Sequence, residues 1–373
     1  MSLTGPDGVR PEVEAVTPYT PGLSIDEIQA RYGLSHVIKM ASNENPLGVS
    51  PQVRAALERH AARAFRYPQG GNPRLVAALA GRHGLDAARV VVGNGSDELI
   101  DLLVRVRAVP GRHNVVTFRP CFSIYALQTR LCGVELRQAR LKEDFSFEYD
   151  ALLGLVDAET VLVFVTTPDN PSGYCPPAAE LAKLAKALPK ACLLVLDEAY
   201  MDFADDESVH SLLPELDGFP NVAVLRTFSK SFGLAGLRLG YALLPPQLAE
   251  YLWRVRLPFS VNILAEEAGL AALRDDVFRE ESLRVVRNGR ETLSQGLCGL
   301  GCRVWPSQAN FLMFRPPAGG PPARDLFERL LRMGIIIRPL TSYGLPDLLR
   351  VSVGTEEENL RFLDACNELF HHD

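Results

Sequence analysis

TFSKSFGLAGLRLGY, residues 227–241, is the stretch on which the fold and the function both turn. The residues that lead into it, NVAVLRTF (221–228), alternate too little for a half-exposed strand and read as a buried strand of a parallel sheet. Lys230 then emerges where that strand ends, the place where ligands collect in open α/β sheets. A lysine held among apolar neighbours is destabilised as ammonium, which makes its amine a better nucleophile at neutral pH. The competing reading is a surface lysine in a serine- and glycine-rich turn, the usual fate of lysine. Two features favour chemistry. Gly233, Gly236 and Gly240 permit close backbone approach, and Arg238 offers a fixed fork for a phosphate. Lys230 is therefore the expected catalytic residue.

Working outward, the same strand-then-turn pattern recurs upstream. RVVVGNGSDELIDLLVRV runs from strand through a glycine turn at Gly95, Ser96 and Asp97 into a helix, aiming backbone N–H groups and the positive helix end at whatever lies beyond. It reads as a phosphate seat. It is not a dinucleotide fingerprint, because Glu98 stands where the third glycine belongs, and no GxxxxGK[ST] occurs. NVVTFRPCFSIYALQ gives a strand and a helix with Phe122 between them, and VLVFVTTPDNPSG ends an apolar strand near Asn170. CLLVLDEAYMDF places Asp197 at a strand terminus, with Tyr200 just beyond. An unpaired carboxylate there would cost several kcal/mol, so Asp197 is either functional or salt-bridged to an arginine.

This alternation predicts an α/β fold: a large domain with a mostly parallel central sheet flanked by helices, and a smaller α+β domain. The expected division is an N-terminal arm (1–45) packing with the small domain, a large domain (46–245) and a C-terminal small domain (246–373). Ser50 with Pro51, and Asn72 with Pro73, read as helix starts, and TEEE opens a capped final helix. A long helix is expected from Val277 to about Leu300. In the small domain IIIRPL reads as one strand carrying Arg338, and LLRVSVGT as another whose alternation sends Arg350 to the face opposite Val351.

Composition bounds the partners. A chain of 373 residues that is 47% hydrophobic can bury a large core, and a net charge of −6 without like-charge runs suggests neither nucleic acid nor a membrane surface. The 7 cysteines are scattered and lack any CxxC pair, which favours reduced thiols and a cytoplasmic setting. The 7 histidines form no metal-like cluster, so no metal is expected. No apolar run approaches a membrane span, and the N-terminus lacks a signal pattern, so the protein reads as soluble and unexported.

Five strings in this order, SNENPLG (42–48), GNGSDE (93–98), TPDNPSG (167–173), DEAY (197–200) and FSKSFGLAGLRLGY (228–241), closely resemble the aspartate-aminotransferase-like, fold type I pyridoxal-phosphate enzymes. The last string resembles their histidinol-phosphate aminotransferase branch. The resemblance implies pyridoxal 5′-phosphate on Lys230 and Asp197 against its pyridine nitrogen, with Asn170 near its phenolic oxygen and Tyr200 a further catalytic and cofactor-binding residue. It also implies a seat formed by Gly95, Ser96, Asp97, Ser229 and Arg238. Phe122 takes the place of a stacked aromatic that is tyrosine in many relatives, keeping the ring face and losing a hydroxyl. Tyr67 would reach the cofactor of the other subunit of a homodimer. Tyr19 would contact the substrate's phosphate, Asn43 would lie near the substrate, Arg350 would clamp an α-carboxylate and Arg338 would meet the distal anion. The implied reaction is transamination of L-histidinol phosphate, with 2-oxoglutarate and glutamate as the second pair. Alternatives are an aromatic amino-acid aminotransferase or a phospho-amino-acid decarboxylase on the same scaffold, and, more distantly, a non-catalytic sensor module.

Overall fold

Apolar runs too continuous for a half-exposed strand become strands buried on both faces. In the computed structural model, which describes residues 8–16 and 22–371, a short β1 (Ile38–Lys39) precedes seven strands of one sheet. These are β2 (Val90–Asn94), β3 (Asn114–Arg119), β4 (Glu135–Arg140), β5 (Thr160–Thr166), β6 (Leu193–Asp197), β7 (Val222–Thr227) and β8 (Leu239–Leu243). Their order is β2-β8-β7-β6-β5-β3-β4. Neighbours from β7 through β4 run parallel, and β8 is antiparallel to both β7 and β2.

Side-chain alternation along each strand feeds two cores. Leu194, Leu196, Val222 and Val224 enter one, while Leu193, Val195, Ala223 and Leu225 enter the other. Both β6 and β7 are buried along their whole length, so residues at their ends leave a rigid, water-excluded frame.

A second sheet comes from the C-terminal part. β9 (Arg303–Val304), β10 (Phe311–Arg315), β12 (Arg338–Pro339) and β13 (Leu349–Ser352) pair antiparallel in the order β12-β13-β10-β9. The expected single strand IIIRPL splits. Its first part, β11 (Ile335–Ile336), pairs in parallel with β1, and only Arg338 and Pro339 join β13. Pro339 lacks an N–H to donate, and β12 is an edge strand, where proline is tolerated.

Packing on the seven-stranded sheet continues past residue 245. Leu248, Ala249 and Leu252 of the helix Pro246–Val255 join one core of the seven-stranded sheet, and Ala265, Ala268 and Ala271 of the helix Ile263–Ala272 join the other. Gly269 lets the second helix close on the sheet, since a Cβ there would lie 2.6 Å from Leu239 Cδ2. The changeover falls at the long helix Asp276–Gly299, whose Val286, Leu293 and Leu297 enter the core of the small sheet.

Helix starts follow local chemistry. Ser50 Oγ accepts the Val53 N–H at 3.1 Å, and Thr355 and Glu358 cap each other reciprocally at 2.8 and 3.3 Å. Asn72 behaves differently. It sits at φ 50° and makes no side-chain cap, its amide donating instead to Glu266 at 3.3 Å.

Candidate active site

The C-terminal ends of β5, β6 and β7 open into a cavity of about 140 Å³ walled by Lys230, Asp197, Asn170, Phe122, Tyr200 and Arg238. Ser96, Asp97 and Ser229 also belong to that wall. Lys230 is placed by a tight loop: the Ser229 N–H donates to Thr227 Oγ1 at 3.1 Å, and the Gly233 N–H to the Lys230 carbonyl at 3.1 Å. Gly233 is at φ 70°, and a Cβ on it would collide with the Gly48 carbonyl at 1.9 Å. Only glycine fits there. The lysine amine donates to the Ser42 carbonyl at 3.2 Å and lies 5.7 Å from the Tyr200 ring centre. Burial, then the Arg350 charge, pulls its pKa from 10.5 to about 8, with Glu44 and Asp97 opposing.

Asp197 ends β6 at 2% exposure. Its Oδ2 accepts the Tyr125 hydroxyl at 2.7 Å, and its Oδ1 accepts the Ala199 N–H at 3.2 Å. Burial raises its pKa to about 6 even though both hydrogen bonds favour the carboxylate. The alternative of a structural salt bridge is realised one residue later, where Arg226 grips Glu198 at 2.5 Å. Tyr125, whose ring stacks on Phe164 at 4.8 Å, is a site residue that sequence reading missed. Its signal was present: it lies three positions after Phe122, on the first turn of the helix Ser123–Leu131.

The other end of the cavity is built for an anion. Gly95, at φ 76°, begins the helix Gly95–Arg107, and a Cβ there would lie 2.6 Å from Arg238 Nη2. A Cβ on Gly240 would lie 2.5 Å from the Ser96 nitrogen. The glycines thus let an arginine and a helix N-terminus converge, with the Ser96 and Ser229 hydroxyls beside them. Arg238 itself adopts φ 52° and donates to Asp97 Oδ2 at 3.1 Å. Burial pushes the Asp97 carboxyl up, with Arg238 and Lys230 pulling the other way.

The expected substrate-side residues divide. Asn43, at φ 55°, donates to the Tyr200 hydroxyl at 3.0 Å and accepts from Ser352 Oγ at 2.8 Å. Arg350 donates to Asn170 Oδ1 and, at 3.0 Å, to the Ala41 carbonyl. Its Nε is buried without a hydrogen-bond partner. It lies 5.0 Å from the Phe311 ring centre. Arg338 is the cross-strand partner of Arg350, which puts both guanidinium groups on one face of the small sheet. Arg338 lines a neighbouring cavity of about 530 Å³. Tyr343, also unforeseen, borders that cavity and donates to Asn170 at 3.4 Å, which joins the two spaces. Tyr67 is not brought to the site of its own chain: it is 81% exposed and stacks on Phe259 at 4.8 Å. Tyr19 lies outside the described residues.

Among the described residues no group of three or more His, Cys, Asp or Glu is placed to hold a metal ion, and no helix is long and apolar enough to cross a membrane. A lysine amine, a carboxylate facing it and a phosphate-type seat form a donor set suited to a phosphorylated, cationic ring.

Comparison with known proteins is consistent with this donor set. The family model "Aminotransferase class I and II" matches residues 35–365. A histidinol-phosphate aminotransferase of Nitratidesulfovibrio vulgaris is 65% identical over 371 residues, 100% of this chain and 99% of the relative. One from Oleidesulfovibrio alaskensis is 63% identical over 97% of this chain and 94% of its own length. Among solved structures, histidinol-phosphate aminotransferase from Sinorhizobium meliloti in complex with pyridoxal-5′-phosphate superposes with a TM-score of 0.87 at 28% identity, covering 99% of each chain.

Proposed function

Because the chain belongs to the class I and II aminotransferases, we propose that it transfers the amino group of L-histidinol phosphate to 2-oxoglutarate, in histidine biosynthesis, with pyridoxal 5′-phosphate as cofactor. The observation that carries the reading is the convergence of Lys230, Asp197 and an anion seat on one cavity. The choice of amine rests on the names of relatives 65% and 63% identical and on the cross-strand arginines Arg338 and Arg350. Like charges opposite each other destabilise a sheet, so two arginines held there suit anionic substrates.

The residues fit the cofactor. Glycines whose Cβ atoms would fill the cradle at Gly95 and Gly240 leave room for a phosphate near Arg238, Ser96 and Ser229. At the far end Asp197 is a buried carboxylate whose raised pKa calls for a cation beside it. When bound, pyridoxal phosphate supplies a carbonyl that condenses with amines and a protonated ring that withdraws electrons. Asp197 keeps the proton on the ring nitrogen, and Tyr125 and the Ala199 N–H fix the carboxylate for that task. Phe122 offers its ring as a wall, while Asn170 and Tyr200 offer hydrogen bonds to the ring oxygen. Lys230 would hold the cofactor through its amine, and the same amine would serve as the base for the proton on the amine-bearing carbon of the substrate. A pKa of about 8 leaves a useful fraction of that amine neutral near pH 7 to 8. In the second half reaction Arg350 holds the α-carboxylate and Arg338 the distal carboxylate of the keto acid, a bidentate task for which arginine is suited. Asn43 orients Tyr200.

A cytoplasmic homodimer completes the proposal. Phe65 (77% exposed), Tyr67 (81%) and Leu257 (71%), with Phe259 against Tyr67, form an exposed apolar group suited to a second copy of the chain. We assign the described residues before Pro46 to an arm on the small domain, where β1 pairs with β11, and place the boundary between the large and small domains at the helix Asp276–Gly299, where the packing changes. The direct test is absorbance of the holoenzyme titrated with a panel of amines. Histidinol phosphate should bleach the cofactor band at the lowest concentration; a preference for phenylalanine or tyrosine would favour the aromatic aminotransferase.

A further inference from the structure

The residue after Lys230 is held from two sides. The Ser231 hydroxyl donates to Asp202 Oδ2, and Asn45 Nδ2 donates to the Ser231 carbonyl at 2.8 Å. Both holders are tied to one helix. Arg279 donates to Asp202 Oδ1 at 3.0 Å, and the Asn45 amide also donates to Ser282 Oγ at 3.0 Å. Arg279 and Ser282 are three positions apart on the helix Asp276–Gly299 and so share a face. Ser231 and Ser282 are fully buried, and Ser231, Asp202 and Asn45 all lie outside the wall of the Lys230 cavity.

The cluster is costly for a fold to keep. Asp202 lies 3.6 Å from Arg226, which also pairs with Glu198 and Glu207, so two arginines and three carboxylates are gathered behind the lysine loop. Burial works against the Asp202 carboxylate, but Arg279 and Arg226 outweigh it and hold its pKa low. Arg226 and Glu198 are buried, and ion pairs taken out of water are seldom more stable than apolar packing of the same volume, so retention of this network calls for a role in geometry. A lysine side chain rotates about four bonds, and among the described residues its amine donates one hydrogen bond, to the Ser42 carbonyl. Ser42 belongs to the same segment as Asn45. The segment thus touches the lysine at its amine and at the following carbonyl.

We propose that Ser231 is a positioning residue for Lys230. Gripped by Asp202 and Asn45, it locks the planar Lys230–Ser231 peptide against the helix Asp276–Gly299 and so fixes the direction in which the lysine leaves the backbone. The inference rests on the proposed role of Lys230 in transamination.

The test uses the holoenzyme. Borohydride reduction and peptide mapping of the wild type come first; a cofactor label on another lysine would defeat the transaminase reading itself, before the positioning role is at issue. With the label on Lys230, Ser231→Ala should lower kcat about 10- to 100-fold, the scale of a small misplacement, with KM for both substrates within about twofold. Asp202→Asn should do the same, and the double variant should be no worse than either single one, because both break one link. Hydrogen exchange should quicken at Gly233 and Leu234, whose amides bond the Lys230 and Phe228 carbonyls, and stay unchanged in the small sheet. Wild-type kcat in Ser231→Ala, additive losses in the double variant, or a rise in KM that tracks a fall in Tm would each overturn the proposal.

Discussion

At the scale of single residues the site is built from groups held in their less comfortable charge states. Lys230 has a folded pKa of about 8 against 10.5 in the open chain, so between those values the unfolded state holds more protons and stability rises with pH. Below pH 8 the full cost of the buried ammonium is present. In the cofactor-free chain Lys230→Met should therefore gain stability over the wild type at pH 7, and the gain should shrink as pH climbs from 8 towards 10.5. Denaturant titrations of both proteins at several pH values check this; a difference that stays flat with pH would show that the lysine is solvated. Asp197 is the complementary case, raised to about 6 by burial. If it holds the ring proton, Asp197→Asn should fall about 100- to 1,000-fold in kcat, the usual loss when a group aimed at developing charge is removed. Turnover near normal would remove Asp197 from the mechanism. Both residues stand out in the sequence because each comes at or just past the end of a largely apolar strand. Tyr125 and Tyr343 were not, since a hydroxyl's partner is decided by tertiary contacts that a helix or loop string does not carry.

Among the elements, the buried strands were the most legible, because β5, β6 and β7 are largely apolar and lead into polar turns. Short strands were the least. IIIRPL looks continuous, and only the presence of β1 beside Ile335 and of β13 beside Arg338 decides that it is shared between two sheets. The same pairing sets Arg338 and Arg350 side by side, and gives the choice of substrate a test at this scale. If Arg338 meets the distal anion, Arg338→Ala should cost roughly 2 to 5 kcal/mol in kcat/KM toward histidinol phosphate. It should scarcely alter any activity toward phenylalanine, which has no such anion, and Arg338→Lys should recover only part of the loss. Equal losses on both substrates in steady-state kinetics would make Arg338 a support of the sheet.

For the whole molecule, the division of cores is what the sequence pattern leaves open. The helix Ile263–Ala272 comes after the last strand of the large sheet and reads as part of something new, yet nearly all of it is buried, and its Ala265, Ala268 and Ala271 join a core of that sheet. Periodicity reports that a face is apolar and says nothing of which core receives it. The same limit applies to the exposed group around Tyr67, whose rings stack on each other with one side open to solvent. If a second copy covers that side and Tyr67 serves the partner's cofactor, each active site draws on two chains. Lys230→Ala and Tyr67→Ala chains should then each form poorly active homodimers, because the first lacks the amine and the second lacks the reach into its neighbour. A mixed dimer holds one site in which both defects meet and one in which neither does. Co-expression with two affinity tags and tandem purification should thus return close to half of the wild-type activity per dimer. Mixed dimers no more active than the better parent would place Tyr67 outside the shared site and leave its exposed ring to packing alone.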